Sequence, residues 1–340
     1  MSNTGYLKAI EYYLPEITLS NEQINIEHPE WTADKISSKT GIFNRHLSNE
    51  NEFSSDLGLK ATKRLFDAHP TIKNKIDYLI FCTQSPDYLI PTTACILQDK
   101  LGLNKNIGAI DINMGCSGFI YGLSYANGLI SSGQAENVLL ITAETYSKYI
   151  HKLDKNNKTI FGDGASASLV SKHLDEQLSG AIGKFSFYTD GSGFVKLIVK
   201  NSGIRYRNIE ANEELNADGT LIKSDKNLFM DGRAVFEFTS FEVPPMVESV
   251  LEKNKLQLED IDLFIFHQAN AFMMQYMRKR CKIPEEKFFI FLEDCANTVS
   301  STIPIALLEA QKQNKISKNK KVLLAGFGVG LSIAGTIIDY

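Results

Sequence analysis

Two short segments, Ile76-Asp-Tyr-Leu-Ile-Phe81 and Ile261-Asp-Leu-Phe-Ile-Phe266, share four of six residues, and each follows a helical stretch and an acidic turn. A second matched pair, Val138-Leu-Leu-Ile and Val322-Leu-Leu-Ala, follows the first by 62 and 61 residues and is itself preceded by the helix-like stretches 118–132 and 303–313. Buried strands resemble one another, so one match carries little weight. Two matches in the same order and at the same spacing predict a duplicated α/β unit. Runs this uniformly apolar belong to strands covered on both faces, which predicts mainly parallel sheets flanked by helices, with halves at residues 1–170 and 180–340. The polar, turn-rich stretch 200–227, with Asn201-Ser-Gly203 and Asp218-Gly219, reads as an excursion between the halves.

With 340 residues, 43% of them hydrophobic, the chain has ample material for a large core. A formal net charge of -4 and a pI near 5.9 argue against general binding to nucleic acid or to an anionic membrane. Five cysteines, Cys82, Cys95, Cys116, Cys281 and Cys295, form neither a CxxC pair nor a Cys/His metal spacing, so they fit a reducing compartment and no metal centre. Residues 1–15 carry Glu11 inside their apolar part and do not read as a secretion signal, and a cytoplasmic protein is expected. The longest uncharged run, 322–338, is too short and too rich in glycine to span a membrane, and reads as strand, tight turn, strand.

Duplicated α/β sheets bind ligands at the carboxyl ends of their strands, so the loops after the matched strands are the candidate site. Cys116 lies in Asp111-Ile-Asn-Met-Gly-Cys-Ser-Gly-Phe119, where a strand pattern stops and a helix pattern starts. The positive end of a helix dipole and unpaired N–H groups lower a thiol pKa there, which makes Cys116 a candidate nucleophile. His267, in Phe266-His-Gln-Ala-Asn270, occupies the strand end that matches Cys82 in the first half; it either supports the fold or moves a proton. Asn297, in Cys295-Ala-Asn-Thr-Val-Ser-Ser-Thr-Ile-Pro304, sits on the loop that the repeat offset matches to the Cys116 turn, and is either a helix cap or a group facing the thiol. The glycines of Gly326-Phe-Gly-Val-Gly330 allow close backbone approach to a ligand or a neighbouring turn, and too few residues follow for a dinucleotide fold. Phe161-Gly-Asp-Gly-Ala-Ser-Ala-Ser-Leu169 reads as packing between sheet layers rather than a phosphate loop.

In order along the chain, Lys39-Thr-Gly-Ile42 with Arg45-His46, Gly115-Cys-Ser-Gly-Phe119, Phe161-Gly-Asp-Gly-Ala165, Met230-Asp-Gly-Arg-Ala-Val-Phe236, His267-Gln-Ala-Asn270, Asn297-Thr298, Ile303-Pro304 and Gly326-Phe-Gly328 resemble the β-ketoacyl-acyl-carrier-protein synthase III family of condensing enzymes over nearly the whole length. The resemblance implies a thiolase-like fold of two duplicated βαβαβ-type halves in α/β/α/β/α layers, assembled as a homodimer. It implies a Cys116, His267, Asn297 triad. Cys116 would carry an acyl group taken from acyl-coenzyme A or an acyl carrier protein, with the N–H groups of Cys116 and Val329 as oxyanion hole. Neutral His267 and Asn297 would donate hydrogen bonds to the thioester carbonyl of malonyl carrier protein as it loses carbon dioxide, with no metal or cofactor. Lys279 and Arg280 stand at carrier-binding positions, Lys148, Lys152, Lys155 and Lys158 form a second basic cluster, and Ile90 lies in the loop that reaches across the dimer to the partner's acyl pocket.

The chain also departs from the family pattern. Lys35 stands near the place of the tryptophan that stacks on coenzyme A, and Trp31 lies upstream. Phe272 replaces a carrier-contacting arginine, Glu237 a lysine, Val329 a glycine, Ile333 a tryptophan and Ala296 a glycine. These differences leave open a specialised member, including one that transfers the acyl group to an oxygen or nitrogen nucleophile, or a subunit that uses the fold without catalysis.

Overall fold

The computed structural model describes residues 4–174, 178–206, 209–217 and 221–340; the Asp218-Gly219 turn lies outside the described residues. Ten strands among them matter for the site: β1 (Tyr6–Tyr13), β2 (Tyr78–Cys82), β3 (Gly108–Ile112), β4 (Asn137–Glu144), β5 (Gly164–Ser171), β6 (Gly180–Ile182), β7 (Ser186–Thr189), β8 (Leu263–Phe266), β9 (Lys321–Gly328) and β10 (Ser332–Asp339). Six helices cover them: α1 (Ser54–Ala68), α2 (Thr93–Lys100), α3 (Gly118–Ser131), α4 (Gly232–Asn254), α5 (Ala271–Arg280) and α6 (Thr302–Lys312).

The expected repeat is visible in the pairing. β2 runs parallel to β4, β4 antiparallel to β5, and β5 antiparallel to β1. In the second half β8 runs parallel to β9, β9 antiparallel to β10, and β10 antiparallel to β7. β6 bridges β1 and β10, which joins the two sheets edge to edge in the order β8-β9-β10-β6-β1-β5-β4-β2-β3. The partner that β3 would have in the second half is reduced to a single parallel bridge between Phe264 and Phe288.

Alternation along each strand sorts the apolar side chains into layers. Leu79, Phe81, Leu139 and Ile141 pack outward against Leu57, Leu65 and Leu97 of α1 and α2. Their neighbours Ile80, Val138 and Leu140 point inward to Phe119 and Leu123 of α3 and to Ile303 and Leu307 of α6. Leu263, Ile265, Val322 and Leu324 reach the same inner helices from the other sheet, while Phe264, Phe266, Leu323 and Phe327 face Val243, Val247 and Met274 of α4 and α5. The fold is therefore α/β/α/β/α, with α3 and α6 buried between two sheets. The uncharged run 322–338 forms β9, a turn and β10 as expected.

The His-Gln-Ala-Asn segment shows how sequence dictates local form. Gln268 donates to the Phe266 carbonyl at 2.6 Å and accepts from the Phe291 N–H at 2.8 Å, which locks the loop after β8. Asn270 caps α5 by accepting from the Met273 N–H at 2.9 Å.

Candidate active site

Cys116 lies two residues before α3 and is buried, with Ser117 at the N-cap position making no side-chain cap. Above the thiol stands Gly328, whose φ of +149° and whose surroundings both require glycine. A Cβ there would sit 3.0 Å from Cys116 Sγ. A Cβ on Gly326 would come 2.8 Å from the Ser117 Cα. The glycine turn thus makes a close backbone approach to the Cys116 turn. The backbone N–H groups of Val329 and of Cys116 itself bond to the thiol and pull its pKa down, but burial outweighs them and pushes it up to about 12. The helix start therefore does not set the direction alone: burial opposes the N–H donors and holds the thiol above its ordinary pKa.

His267, at the end of β8, is buried as well, and loss of water lowers its pKa to about 3, so the imidazole is neutral. Its Nδ1 lies 2.7 Å from the Thr302 hydroxyl at the start of α6. Its Nε2 faces the Asn297 side-chain nitrogen at 3.5 Å. Asn297 Oδ1 accepts from the Val299 N–H at 2.9 Å, so one side-chain atom caps the turn before α6 while the other faces the histidine. The capping alternative for Asn297 holds, and its amide nitrogen faces His267 in the cavity that Cys116 also lines.

The Phe161 to Gly164 turn is a joint, as its small residues suggested. Asn297 N–H donates to the Ile160 carbonyl at 3.0 Å, the Gly162 N–H donates to the Asn297 carbonyl at 3.1 Å, and a Cβ on Gly164 would meet Thr298. Asp163 accepts from the N–H and hydroxyl groups of both Ser48 and Ser147.

Cys116, His267 and Asn297 line one cavity of about 120 Å³, closed by apolar residues including Phe161, Val235 and Met273. Leu197 also lines a larger recess, about 520 Å³, walled by Gln84, Tyr88, Tyr146, Tyr149 and Val329. Tyr146 donates to Gln84 Oε1 at 2.6 Å. Neither residue had been singled out in the sequence, because their chemistry is generic and only the fold brings them beside Val329. Glu144, at the end of β4, was missed too. It is fully buried, accepts from Gln84 N–H, Ser85, Ser300 and Thr83, and burial pushes its carboxyl up to about 8. A carboxylate closing the apolar run Leu139-Leu-Ile-Thr-Ala-Glu144 was the only signal.

The outlying candidates fall elsewhere. Ile90 is 86% exposed on a loop with exposed Tyr88 and Leu89. Lys279 is exposed on α5, whereas Arg280 donates to the Ser240 carbonyl of α4 at 3.3 Å. The second basic cluster is largely neutralised: Lys155 pairs with Glu30 at 2.9 Å, Lys158 with Glu27 at 2.5 Å, and Lys148 donates to the Asn49 carbonyl. The ammonium groups of Lys35 and Lys39 lie over the ring of Trp31. Next in sequence to the cavity-lining Val235 and Met273, Phe236 stacks with Phe272 and meets Tyr276 at a tilt, and Phe272 is 64% exposed.

A five-layered duplicated fold with a cysteine at a central-helix start, a histidine and an asparagine on one cavity defines the thiolase-like class. Within that class the chain belongs to the β-ketoacyl-acyl-carrier-protein synthase III family. Residues 110–191 match the model for 3-Oxoacyl-[acyl-carrier-protein (ACP)] synthase III, and residues 251–340 match its C-terminal model. A relative from Staphylococcus epidermidis, named beta-ketoacyl-[acyl-carrier-protein] synthase III 2, is 36% identical over 100% of this chain and 99% of its own. One solved structure of a 3-oxoacyl-(acyl-carrier-protein) synthase III superposes with a TM-score of 0.94 at 42% identity, covering 99% of this chain and 100% of the other. Another, from Thermus thermophilus, gives 0.86 at 32% identity, covering 98% of each.

Proposed function

We propose that this chain is a condensing enzyme of the transferase class, joining an acyl thioester to malonyl carrier protein through an acyl group held on Cys116. The observation that carries this reading is the convergence of two backbone N–H groups, from Cys116 and Val329, on one buried thiol that shares its cavity with His267 and Asn297. Acyl transfer needs such an arrangement: the N–H pair stabilises the oxyanion formed when Sγ attacks the thioester carbonyl, and each such donor is worth roughly a hundredfold or more in rate. The C–S bond to the incoming carrier breaks and its thiol departs. Malonyl carrier protein then enters, loses carbon dioxide to form an enolate that hydrogen bonds from neutral His267 and Asn297 stabilise, and the enolate carbon attacks the acyl-cysteine. A β-ketoacyl thioester leaves and Cys116 recovers its proton. The steps are a thioester exchange, a decarboxylation whose electron pair stays as the enolate, and attack of that enolate on the acyl-cysteine; side-chain and backbone donors can carry them, so the reading requires no cofactor and no metal.

The same reading takes an acyl carrier protein as partner, with Lys279 and Arg280 in the last turn of α5 for its acidic surface. It makes the protein a cytoplasmic homodimer: β3 is a sheet edge with Ile110 exposed, and Tyr88, Leu89 and Ile90 are apolar side chains in solvent that a second copy would cover. Among the described residues no helix is long and apolar enough to cross a membrane. The test is mass spectrometry after mixing with acyl-coenzyme A or acyl carrier protein, followed by labelled malonyl carrier protein. An acyl mass on wild type that is absent from Cys116→Ala, discharged with release of labelled carbon dioxide, is expected. Discharge onto a hydroxyl or amine acceptor without carbon dioxide would sink the condensing reading.

A further inference from the structure

Gln84 is held at three of its four polar groups. Its N–H donates to the Glu144 carboxyl at 3.1 Å, its backbone carbonyl accepts from the Tyr149 hydroxyl at 3.0 Å, and its side-chain oxygen accepts from the Tyr146 hydroxyl at 2.6 Å. Tyr146 is buried, and burial raises its hydroxyl pKa above the ordinary value, so the proton stays on. That O–H has no other acceptor among the described residues, which fixes the amide with its oxygen toward Tyr146; reversed, a buried hydroxyl proton would lose its partner. The fourth group, the side-chain NH₂, has no hydrogen-bond partner among the described residues, and Gln84 lines the recess of about 520 Å³. The same amide lies against the residue that precedes the nucleophile: a Cβ on Gly115 would sit 2.5 Å from Gln84 Oε1 and 2.6 Å from the Val329 side chain. With the oxygen turned to Gly115 and Tyr146, the NH₂ group is the part of the amide offered to the recess.

We infer that this recess takes an acyl chain bearing a hydrogen-bond acceptor, a hydroxyl or carbonyl oxygen a few carbons beyond the thioester, and that the Gln84 NH₂ group selects it. This deepens the condensing reading and rests on it. The small cavity must stay open for malonyl carrier protein at His267 and Asn297, so the acyl group on Cys116 extends the other way, past Gly115 and Val329. An empty recess leaves the NH₂ group to water. A plain alkyl chain filling it strips that water and leaves a donor unpaired, whereas an oxygen on the chain replaces the lost bond. The rest of the wall suits the methylenes between: Leu197, Leu228 and Val329 are apolar, and the hydroxyls of Tyr146 and Tyr149 are both spent on Gln84. Asp87, which also lines the recess, is engaged by the Ser55 hydroxyl at 2.6 Å, and Asn113 and Lys226 are exposed. Gln84 is therefore the free donor set against the nucleophile's own turn.

Acylation of Cys116, timed by mass spectrometry, tests the preference with coenzyme A and carrier-protein thioesters matched in length: butyryl against β-hydroxybutyryl, pentanoyl against γ-oxopentanoyl, and hexanoyl against δ-oxohexanoyl. At least one oxygen-bearing donor should acylate wild type about tenfold faster than its alkyl partner, the worth of one neutral hydrogen bond made in place of an unpaired donor. In Gln84→Leu the donor is gone and that ratio should fall to about one or below. Tyr146→Phe releases the amide to turn and should lower the ratio by about threefold. Each variant is compared with itself across the two donors, so a general loss of rate cancels, and Gln84→Met repeats the measurement where leucine prevents folding. Alkyl donors that match or outrun all their oxygen-bearing partners on wild type, or a Gln84→Leu protein that keeps the wild-type ratio, overturn the inference. Failure of every donor to acylate wild type would instead remove the condensing reading, and the Tm shifts of Cys116→Ala with the same thioester pairs would still show the preference or refute it.

Discussion

Glu144 offers a measurement in which the size and the sign of an effect both follow from its surroundings. Its carboxyl is shut away from water at the end of β4, and desolvation raises its pKa from 4.5 to about 8, against the opposing pull of the Ser85, Gln84, Ser300 and Thr83 donors. Between those two values the folded chain holds a proton that the unfolded chain has released. The unfolded state therefore binds fewer protons, and stability falls as pH rises through the window, by about 1.4 kcal/mol per unit. From 4.5 to about 8 this amounts to about 5 kcal/mol, present in full below pH 4.5 and lost above 8. Glu144→Gln is neutral throughout and lacks the loss. With an unfolding entropy of about 2.1 cal/mol/K per residue, a 340-residue chain loses about 7 °C of Tm for that energy. Differential scanning fluorimetry of both proteins from pH 5 to 9, which covers about 4 kcal/mol of that loss, should therefore show the wild-type Tm dropping by about 6 °C relative to the variant. Parallel curves would refute the reasoning. A wild type that gained on the variant with rising pH would mean that the hydroxyl and N–H donors outweigh burial and that Glu144 is already ionised in the fold at pH 5.

Gly328→Ala places a methyl group 3.0 Å from Cys116 Sγ at a φ of +149°, so acylation should slow by about a hundredfold in a protein whose circular dichroism is unchanged; a rate within threefold of wild type contradicts the close approach. Phe272→Ser removes an exposed ring that stacks on Phe236, next in sequence to the cavity-lining Val235, and should raise KM for a carrier-borne thioester about tenfold while leaving KM for a short pantetheine thioester unchanged, because a macromolecular partner covers exposed rings that a short thioester does not reach. Equal effects on both substrates would mean that the ring contacts the thioester itself. Cys116→Ala combined with Ser300→Cys moves the thiol to the matched position of the second half, and mass spectrometry should find no acyl adduct there. An adduct formed within tenfold of the wild-type rate would show that Glu144 does not close that position.

Local pattern carried the fold a long way. The echo between residues 76–81 and 261–266 was readable because both segments keep the same buried-strand composition, and the pairing of β2 with β4 and of β8 with β9 repeats it. The placement of Cys116, His267 and Asn297 on one cavity followed from matching loops in the two halves. What stayed hidden depended on contacts between distant segments. The state of the thiol turns on burial by the Gly328 turn, more than 200 residues away, and a helix-start argument alone gave the opposite direction. Glu144 draws its donors from residues 83–85 and 300, and nothing in its own strand announces them. The basic cluster at residues 148–158 looked free because the acids that neutralise it, Glu27 and Glu30, lie some 125 residues earlier.

The duplication also explains why only one of two related positions can act. Cys116 and Ser300 occupy matched turns, and the strands that end above them, β9 and β4, are matched as well, so Gly328 stands over the thiol where Glu144 stands over the serine. The flanking residues exchange contacts in the same sense: Ser117 hydrogen-bonds Ser332 of the second half at 2.8 Å, and Ser301 hydrogen-bonds Thr142 of the first at 2.7 Å. At the first position glycine leaves room for an acyl group and directs the N–H of Val329 at sulfur. At the second, a carboxyl fills that room and is 3.1 Å from the Ser300 hydroxyl, so an acyl group would meet the Glu144 side chain there instead of open space. His267 and Cys82 complete the contrast at the matched strand ends, since the first offers a neutral imidazole and the second a thiol whose pKa burial raises. A common ancestor of the two halves would present two equivalent sites; a single buried glutamic acid in place of a single glycine is enough to shut one of them and, through Ser300, to tie its turn to the half that holds the other.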